Sequence, residues 1–458
     1  MKINQSNEKA NSTCCFRYRQ WLLAVMLLVL SAALLQAGDW PSYMHDNNRS
    51  GVTTEQLDLP LIQAWAHDTQ RSAVPAWNET PALHNFWGST YGHRTRVSYD
   101  LAYHVAVVGN SLYFGSSNSD KIVSLNADTG QVKWKYFTGG PVRFAPAVDS
   151  GKVYAGSDDG YVYCLDAASG SLAWKTRATP SNDLMFINGR MASVAPVRTS
   201  VLVEGGKVYW SAGMFTGAKT GLNRYLCARD VVGGTGGWTV TPSAPSQGYL
   251  LSASGLLFVP SGKRPPWRYN QLNGGGAATV GVTGCYALIV DNSLANGPFF
   301  SGAKSYISAP VIGSVEGNCL VISGDYAYYC NDTQLIKLQR EPTPVVTKWT
   351  VPSEYRYSLI KAGDTLFAGG DDEVAAFDIA TGNKVWSAPV SGRACGLAVA
   401  NGGLYVSTDT GNIHAFGNFE PADINNDGSV NLLDLAKLSS EWNDCTNPND
   451  ANCRDVTQ

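Results

Sequence analysis

Ionic side chains are sparse in this sequence: Asp, Glu, Lys and Arg make up 16% of it, and histidine occurs 6 times in 458 residues. The formal charge is -3, and Lys2, Lys9, Arg17 and Arg19 against Glu8 place +3 in the first 37 residues, so the remainder carries -6. A nucleic-acid partner is not expected of such a chain. Helix-forming stretches are few. Neither a Gly-x-Ser-x-Gly elbow nor a His-Glu-x-x-His pair occurs, which removes two legible hydrolase signatures. Beyond residue 37 no two cysteines are adjacent.

One long apolar run is present, WLLAVMLLVL at 21–30, preceded by basic residues and followed by Leu35-Gln36-Ala37 before Gly38. That order predicts a secretory signal over 1–37 with cleavage near Ala37. An uncleaved membrane anchor is the alternative, and the run is short for a spanning helix. The protein is therefore expected to be exported, to a periplasmic, cell-surface or extracellular location. No cysteine follows the run, so lipidation of the mature N-terminus is not expected, and Cys14 and Cys15 would leave with the signal.

The rest is rich in hydrophobic residues (44%), with 47 glycines and 22 tyrosines, a composition suited to an all-β protein with many turns. Residues 145–175, APAVDSGKVYAGSDDGYVYCLDAASGSLAWK, read as short strands rich in β-branched and aromatic residues, separated by turns at 157–160 and 168–170. Near-copies stand at NSLYFGSSNSDKIVSLNADTGQVKWK and GDTLFAGGDDEVAAFDIATGNKVWS. In all three a Gly precedes a Trp by four residues: Gly130 and Trp134, Gly170 and Trp174, Gly382 and Trp386. The period of about forty residues is that of β-propellers. The Gly permits a left-handed turn into the outer strand, and the Trp can wedge against the neighbouring blade.

The repeat, Asn or Asp, then Thr-Gly or Ser-Gly, then three residues and Trp, resembles that of pyrroloquinoline-quinone enzymes and their cofactor-free relatives over most of 39–417. Those relatives include secreted propellers without quinone and a periplasmic propeller lipoprotein that helps assemble outer-membrane proteins. The resemblance implies four-stranded blades, expected near 103–137, 143–178, 192–241, 246–279, 283–308, 310–350 and 356–388. A closing blade at 398–416 has three strands and no Trp, and the orphan strand around Trp65 is expected to complete it. Eight blades result, with seven as the alternative because 242–308 lacks a Trp in register.

Quinone-dependent members of the resembled family are expected to carry adjacent cysteines, calcium ligands inside the ring and a catalytic Asp. None has a recognisable counterpart here, so pyrroloquinoline quinone is not expected. Trp210 or Trp267 can supply an indole for a planar ring, against the commoner core role of such residues. Asp158-Asp159 and Asp371-Asp372 fall at equivalent turns of two blades, which points to turn chemistry rather than glycoside cleavage.

Two insertions interrupt the pattern. Residues 77–104 hold His84, His93, Arg94, Arg96, Asp100 and His104 among aromatics, and are read as a covering loop, with a ligand-binding lip as the alternative. Arg190, Arg198, Lys263, Arg264 and Arg268 are either solvated turn residues or the lining of an electropositive channel. Of the remaining cysteines, Cys319 and Cys330 flank a turn at Gly324-Asp325 that sets them opposite each other at bridgeable distance. Cys164 takes the slot that Ser124, Ala376 and Ala415 fill elsewhere, which suits a small buried thiol.

From residue 418 the character changes: eight acidic residues against Lys437 and Arg454 give a local charge of -6. Asp423, Asn425 and Asp427 stand at positions 1, 3 and 5 of a calcium loop, with Gly428 at 6, the Ser429 carbonyl at 7 and Asp434 at 12. An amphipathic helix at 432–441 is predicted behind it. The loop resembles half of a type I dockerin, an EF-hand-like module. A second loop is missing, and Leu432 and Leu433 stand where dockerins often carry polar recognition residues, so calcium is the expected ligand ahead of a cohesin-like partner. A Cys445–Cys453 bridge can pin the chain beyond the helix. The expected whole is an exported, non-catalytic propeller, 38–417, that binds a protein or glycan, with a calcium module at 418–458. A quinoprotein dehydrogenase is the alternative, and a component of secreted polysaccharide degradation a further one.

Overall fold

A computed structural model describes residues 38–76, 99–187, 189–214, 223–261, 264–284, 286–301, 304–310, 312–417, 432, 436 and 437, without the side chains of 298–301. All 34 elements among them are strands, grouped mostly in four-stranded antiparallel sheets, a β-propeller fold. Residues 105–137, 147–177, 202–240, 251–279, 286–316 and 319–352 form six such sheets. We number them first to sixth. The second strand of a sheet is covered on both faces, as Ser111–Ser116 is along its whole length. The outermost strand is half in water: Val132–Phe137 buries Trp134 while Phe137 is exposed. Sheets stacked face to face produce this gradient.

The contact between neighbouring sheets repeats as the Gly and Trp spacing predicts. Trp134 donates its indole N–H to the Ala167 carbonyl of the next sheet at 3.0 Å, and Trp174 to Val231 at 2.9 Å. Trp238 reaches Gln271 at 3.0 Å and Trp349 reaches Ile379 at 3.1 Å. Each ring lies on a turn where only glycine fits: at Gly170, with φ +71°, a Cβ would stand 2.5 Å from the Trp134 ring. The partner of each Trp is thus the glycine turn one sheet further on.

The ends of the chain meet in an eight-stranded sheet, in which the continuous strand Lys384–Ala400 serves two four-stranded halves. Its last strand, Asn412–Gly417, pairs with Ile62–Asp68, Trp65 lying opposite Ala415. Trp65 donates to Ala127 of the first sheet at 2.9 Å, and Trp386 to Leu61 at 3.0 Å. The indole links therefore run across the junction of the two termini.

Two boundaries differ from the sequence expectation. Gly313–Glu316, assigned to the blade starting at 310, is the fourth strand of the fifth sheet and pairs with Lys304–Ala309. This sheet has no Trp to mark its outer strand, and its second strand, Ser293–Ser301, is lengthened around a register shift between Asn296 and Phe299. Arg190–Ser193 belongs to no four-stranded sheet; it forms a separate hairpin with Leu184–Ile187.

Residues 39–53 do something the repeat does not foretell. They run along the first strands of the sheets, which face the axis of a propeller. Trp40 exchanges both backbone bonds with Val107 at 2.7 and 2.8 Å, and Val148 donates to Pro41 at 2.9 Å. Asn47 accepts from Ser252 at 3.0 Å and donates its side chain to the Val203 carbonyl at 2.9 Å. Ile289 donates to Asn48 and Lys361 to Gly51, each at 2.8 Å, before Val52–Thr53 pairs parallel to Ser358–Ala362. Arg49, 1% exposed, fastens the segment through Leu250, Ser42, Tyr43 and Asp46 at 2.7–3.0 Å.

Trp134→Ala should lower stability by about 3–5 kcal/mol, because a buried indole, its hydrogen bond and the packing on Gly170 go together. Leu172→Ala, at a site 41% exposed, should cost well under half of that. Denaturation midpoints of the two variants check the contrast; equal small shifts would mean that the link does not hold the sheets.

A candidate binding cavity beside the axial segment

A cavity of about 380 Å³ lies beside the axial segment. Tyr43 and Met44 line it from the segment, and Leu101 and His104 from the stretch entering the first sheet. The opposite wall comes from the first strands of later sheets, through Tyr286, Cys319, Ser358 and Leu359, with Cys395, Gly396 and Leu397 from the long strand. Asn318, Asp332, Arg356 and Tyr357 add polar groups.

Most of these polar groups are already engaged. Arg356 donates to Tyr357 Oη at 3.3 Å and to Asp371 at 3.2 Å, and the Tyr357 hydroxyl donates to Asp371 at 2.8 Å. Asn318 donates to Asp332 at 3.0 Å, Ser358 to the Ala394 carbonyl at 2.7 Å and Tyr286 to the Leu320 carbonyl at 2.6 Å. Tyr43 stacks on Tyr249 with centroids 3.7 Å apart and meets His104 edge to face at 4.9 Å. Burial pushes His104 down to about 4, so its imidazole is neutral at pH 7.

Cys319 and Cys330 are directly opposite on a hairpin turning at Gly324-Asp325. The sulfurs are not joined, so the expected bridge is absent and both are buried thiols. The hydrogen bond that the Cys319 thiol donates to Cys330, and then burial, hold it well above its ordinary pKa, which keeps it protonated and a poor nucleophile. Cys164 is a buried free thiol between Tyr154 and Trp174 on adjacent strands.

The other candidates lie elsewhere. Asp100 and Arg198 are not at a lip or a channel: Asp158 accepts from Arg143 at 2.8 Å and from Arg198 at 2.6 Å, and Arg143 also reaches Asp100 at 3.1 Å. All four side chains are buried. Asp100 further accepts from the Ala76 amide at 2.7 Å, tying together the residues that flank 77–98. Arg190 caps the carbonyls of Ser117 and Asn118 at 2.6 and 2.8 Å, while Arg264 and Arg268 are exposed. Asp159 and Asp372 play matching turn roles, accepting from Gly139 and Gly392 at 2.8 Å. Trp210 is fully buried in the core, and neither it nor Trp267 lines the cavity.

Outside the described residues lie His84, His93, Arg94, Arg96, Lys263, Cys285, Cys445, Cys453, the leader 1–37 and the calcium loop Asp423, Asn425, Asp427, Ser429 and Asp434. Of the helix predicted at 432–441 only Leu432, Ala436 and Lys437 are described, too few to define an element. Among the described residues no group of three or more His, Cys, Asp or Glu side chains is placed to hold a metal ion. Sequence reasoning named His104 as a loop residue and missed Tyr43, Arg356 and Cys395, which lie far apart in the chain and share no motif.

Three solved structures illustrate the likeness of fold. The quinohemoprotein alcohol dehydrogenase ADHIIG of Pseudomonas putida HK5 is 14% identical, with TM-score 0.53 over 83% of this chain and 80% of that one. The enzyme of the same class from Comamonas testosteroni is 13% identical, with TM-score 0.54 and the same coverage. A europium-containing methanol dehydrogenase is 12% identical, with TM-score 0.54 over 83% of this chain and 98% of that one. No curated protein matches the chain. The family model described as outer membrane protein assembly factor BamB matches residues 63–218 and 348–454, more than half of the sequence and including much of the acidic tail. By that match the chain belongs to the BamB family of PQQ-like propellers.

Proposed function

We propose that this is an exported, non-catalytic propeller of eight blades that binds a protein or glycan through its loops and carries a dockerin-like calcium module at its C-terminus. The six sheets and the two halves of the long one supply the eight. The observation that carries the reading is the axial segment: residues 39–53 occupy space along the first strands through backbone bonds to Val107, Val148, Ser252, Ile289 and Lys361. The family's description as an assembly factor is in keeping with a binding role.

A quinoprotein dehydrogenase is the second reading, favoured by the fold shared with the alcohol dehydrogenases. The cavity residues do not fit its cofactor. A tricarboxylated quinone needs several cations or donated N–H groups, and Arg356, the one cation on the lining among the described residues, is committed to Asp371. Purified protein given pyrroloquinoline quinone and calcium should therefore reduce no redox dye with alcohols or sugars above a heat-killed control. Quinone-dependent reduction would promote the second reading.

In the tail, Asp423, Asp427 and Asp434 gathered within twelve residues repel one another until a divalent cation neutralises them, with Asn425 and the Ser429 carbonyl completing the set. Calorimetry on the whole chain should find one calcium ion, and Asp427→Ala should abolish that binding. Two ions would mean a second loop in 444–452, and none would remove the calcium module. A cohesin-like partner is the alternative role for the tail.

A further inference from the structure

Among the polar groups of the cavity that have no partner among the described residues are the imidazole of His104, which is 6% exposed, and the hydroxyls of Tyr43 and Ser305. Gly396 makes room for the first, since a Cβ there would stand 2.6 Å from His104 Nδ1. These groups are accessible from the cavity and able to donate and accept, so a ligand that supplies both a donor and an acceptor there can match them. We propose that this cavity binds one neutral hydroxylated aromatic molecule, a phenol, whose ring packs among the tyrosines and sulfurs and whose hydroxyl meets His104 and Tyr43.

Charge, chemistry and size narrow the ligand to this class. Among the described residues the single lining cation, Arg356, is paired with Asp371, and Asp332 is engaged by Asn318, so an ionised ligand would meet no unpaired counter-charge there. The wall is mainly apolar around Leu359, Ile360 and Leu397, which disfavours a sugar with hydroxyls on every side. Met44, Cys319 and Cys395 bring three sulfurs to the lining, and sulfur packs favourably against ring edges. Benzene fills an engineered cavity of about 150 Å³. A volume of about 380 Å³ accommodates a substituted ring.

This inference goes beyond the partner-binding role of the loops and stands or falls separately from it. Calorimetric titrations of the full-length protein with p-cresol, toluene and 4-hydroxybenzoate test it. p-Cresol should bind one per chain, with toluene and 4-hydroxybenzoate each at least about tenfold weaker, the first for want of the hydroxyl and the second because of its charge. Tyr43→Phe, which removes one oxygen atom, and His104→Leu should each weaken p-cresol about threefold to tenfold and leave toluene unchanged. Should His104→Leu fail to fold, Tyr43→Phe alone decides. No p-cresol binding up to its solubility limit, equal affinity for toluene or 4-hydroxybenzoate, or indifference to Tyr43→Phe would each overturn the proposal.

Discussion

The hydrogen bond from a tryptophan indole on one outer strand to a backbone carbonyl of the next sheet fixes how the sheets of this protein sit against each other. A closed ring needs a constant rotation from sheet to sheet, and a bulky ring lying on a glycine turn sets it, since any larger residue in the turn would push the indole out. Six such hydrogen bonds are present, at Trp65, Trp134, Trp174, Trp238, Trp349 and Trp386, and all but that of Trp386, which reaches Leu61, accompany a ring lying on a glycine turn. Each bond contributes only about 1 kcal/mol net. The ring burial that accompanies it contributes more.

The fourth and fifth sheets lack this device, and other contacts replace it. Ser252 and Ile289, in their first strands, donate to Asn47 and Asn48 of the axial segment. Between fifth and sixth sheets the Tyr286 hydroxyl donates to the Leu320 carbonyl at 2.6 Å and accepts from the Leu320 amide at 3.1 Å, and Arg340 meets Asp291 at 2.5 Å. The axial segment therefore serves stability where the tryptophans are missing. It also narrows the centre: with Tyr43 and Met44 beside the axis, what remains is a cavity of molecular size.

What could be read from the sequence follows from this division. The links announce themselves because Gly and Trp recur at a fixed spacing, and the orphan strand at Trp65 shows that the ring must close through the termini. The fifth sheet escaped because nothing marks its outer strand. The axial segment escaped because DWPSYMHDNNRSG has neither a twofold nor a helical period, its hold on the sheets being made by backbone groups that any residue possesses. The cavity was illegible for a related reason: Tyr43, His104, Arg356 and Cys395 become neighbours only when the ring is closed. Register in the sixth sheet, by contrast, was legible from two turn residues, which place Cys319 opposite Cys330.

Hydrogen exchange, followed by mass spectrometry on a chain beginning at residue 38 and on one beginning at residue 54, tests most directly whether the axial segment holds the centre together. In the longer chain the amides of Val107, Val148, Ser252, Ile289 and Lys361 are bonded to the segment and should exchange only through global opening. In the shortened chain the peptides carrying them should lose that protection while outer-strand peptides such as 132–137 change little. Equal protection of the first strands in both chains would contradict the account.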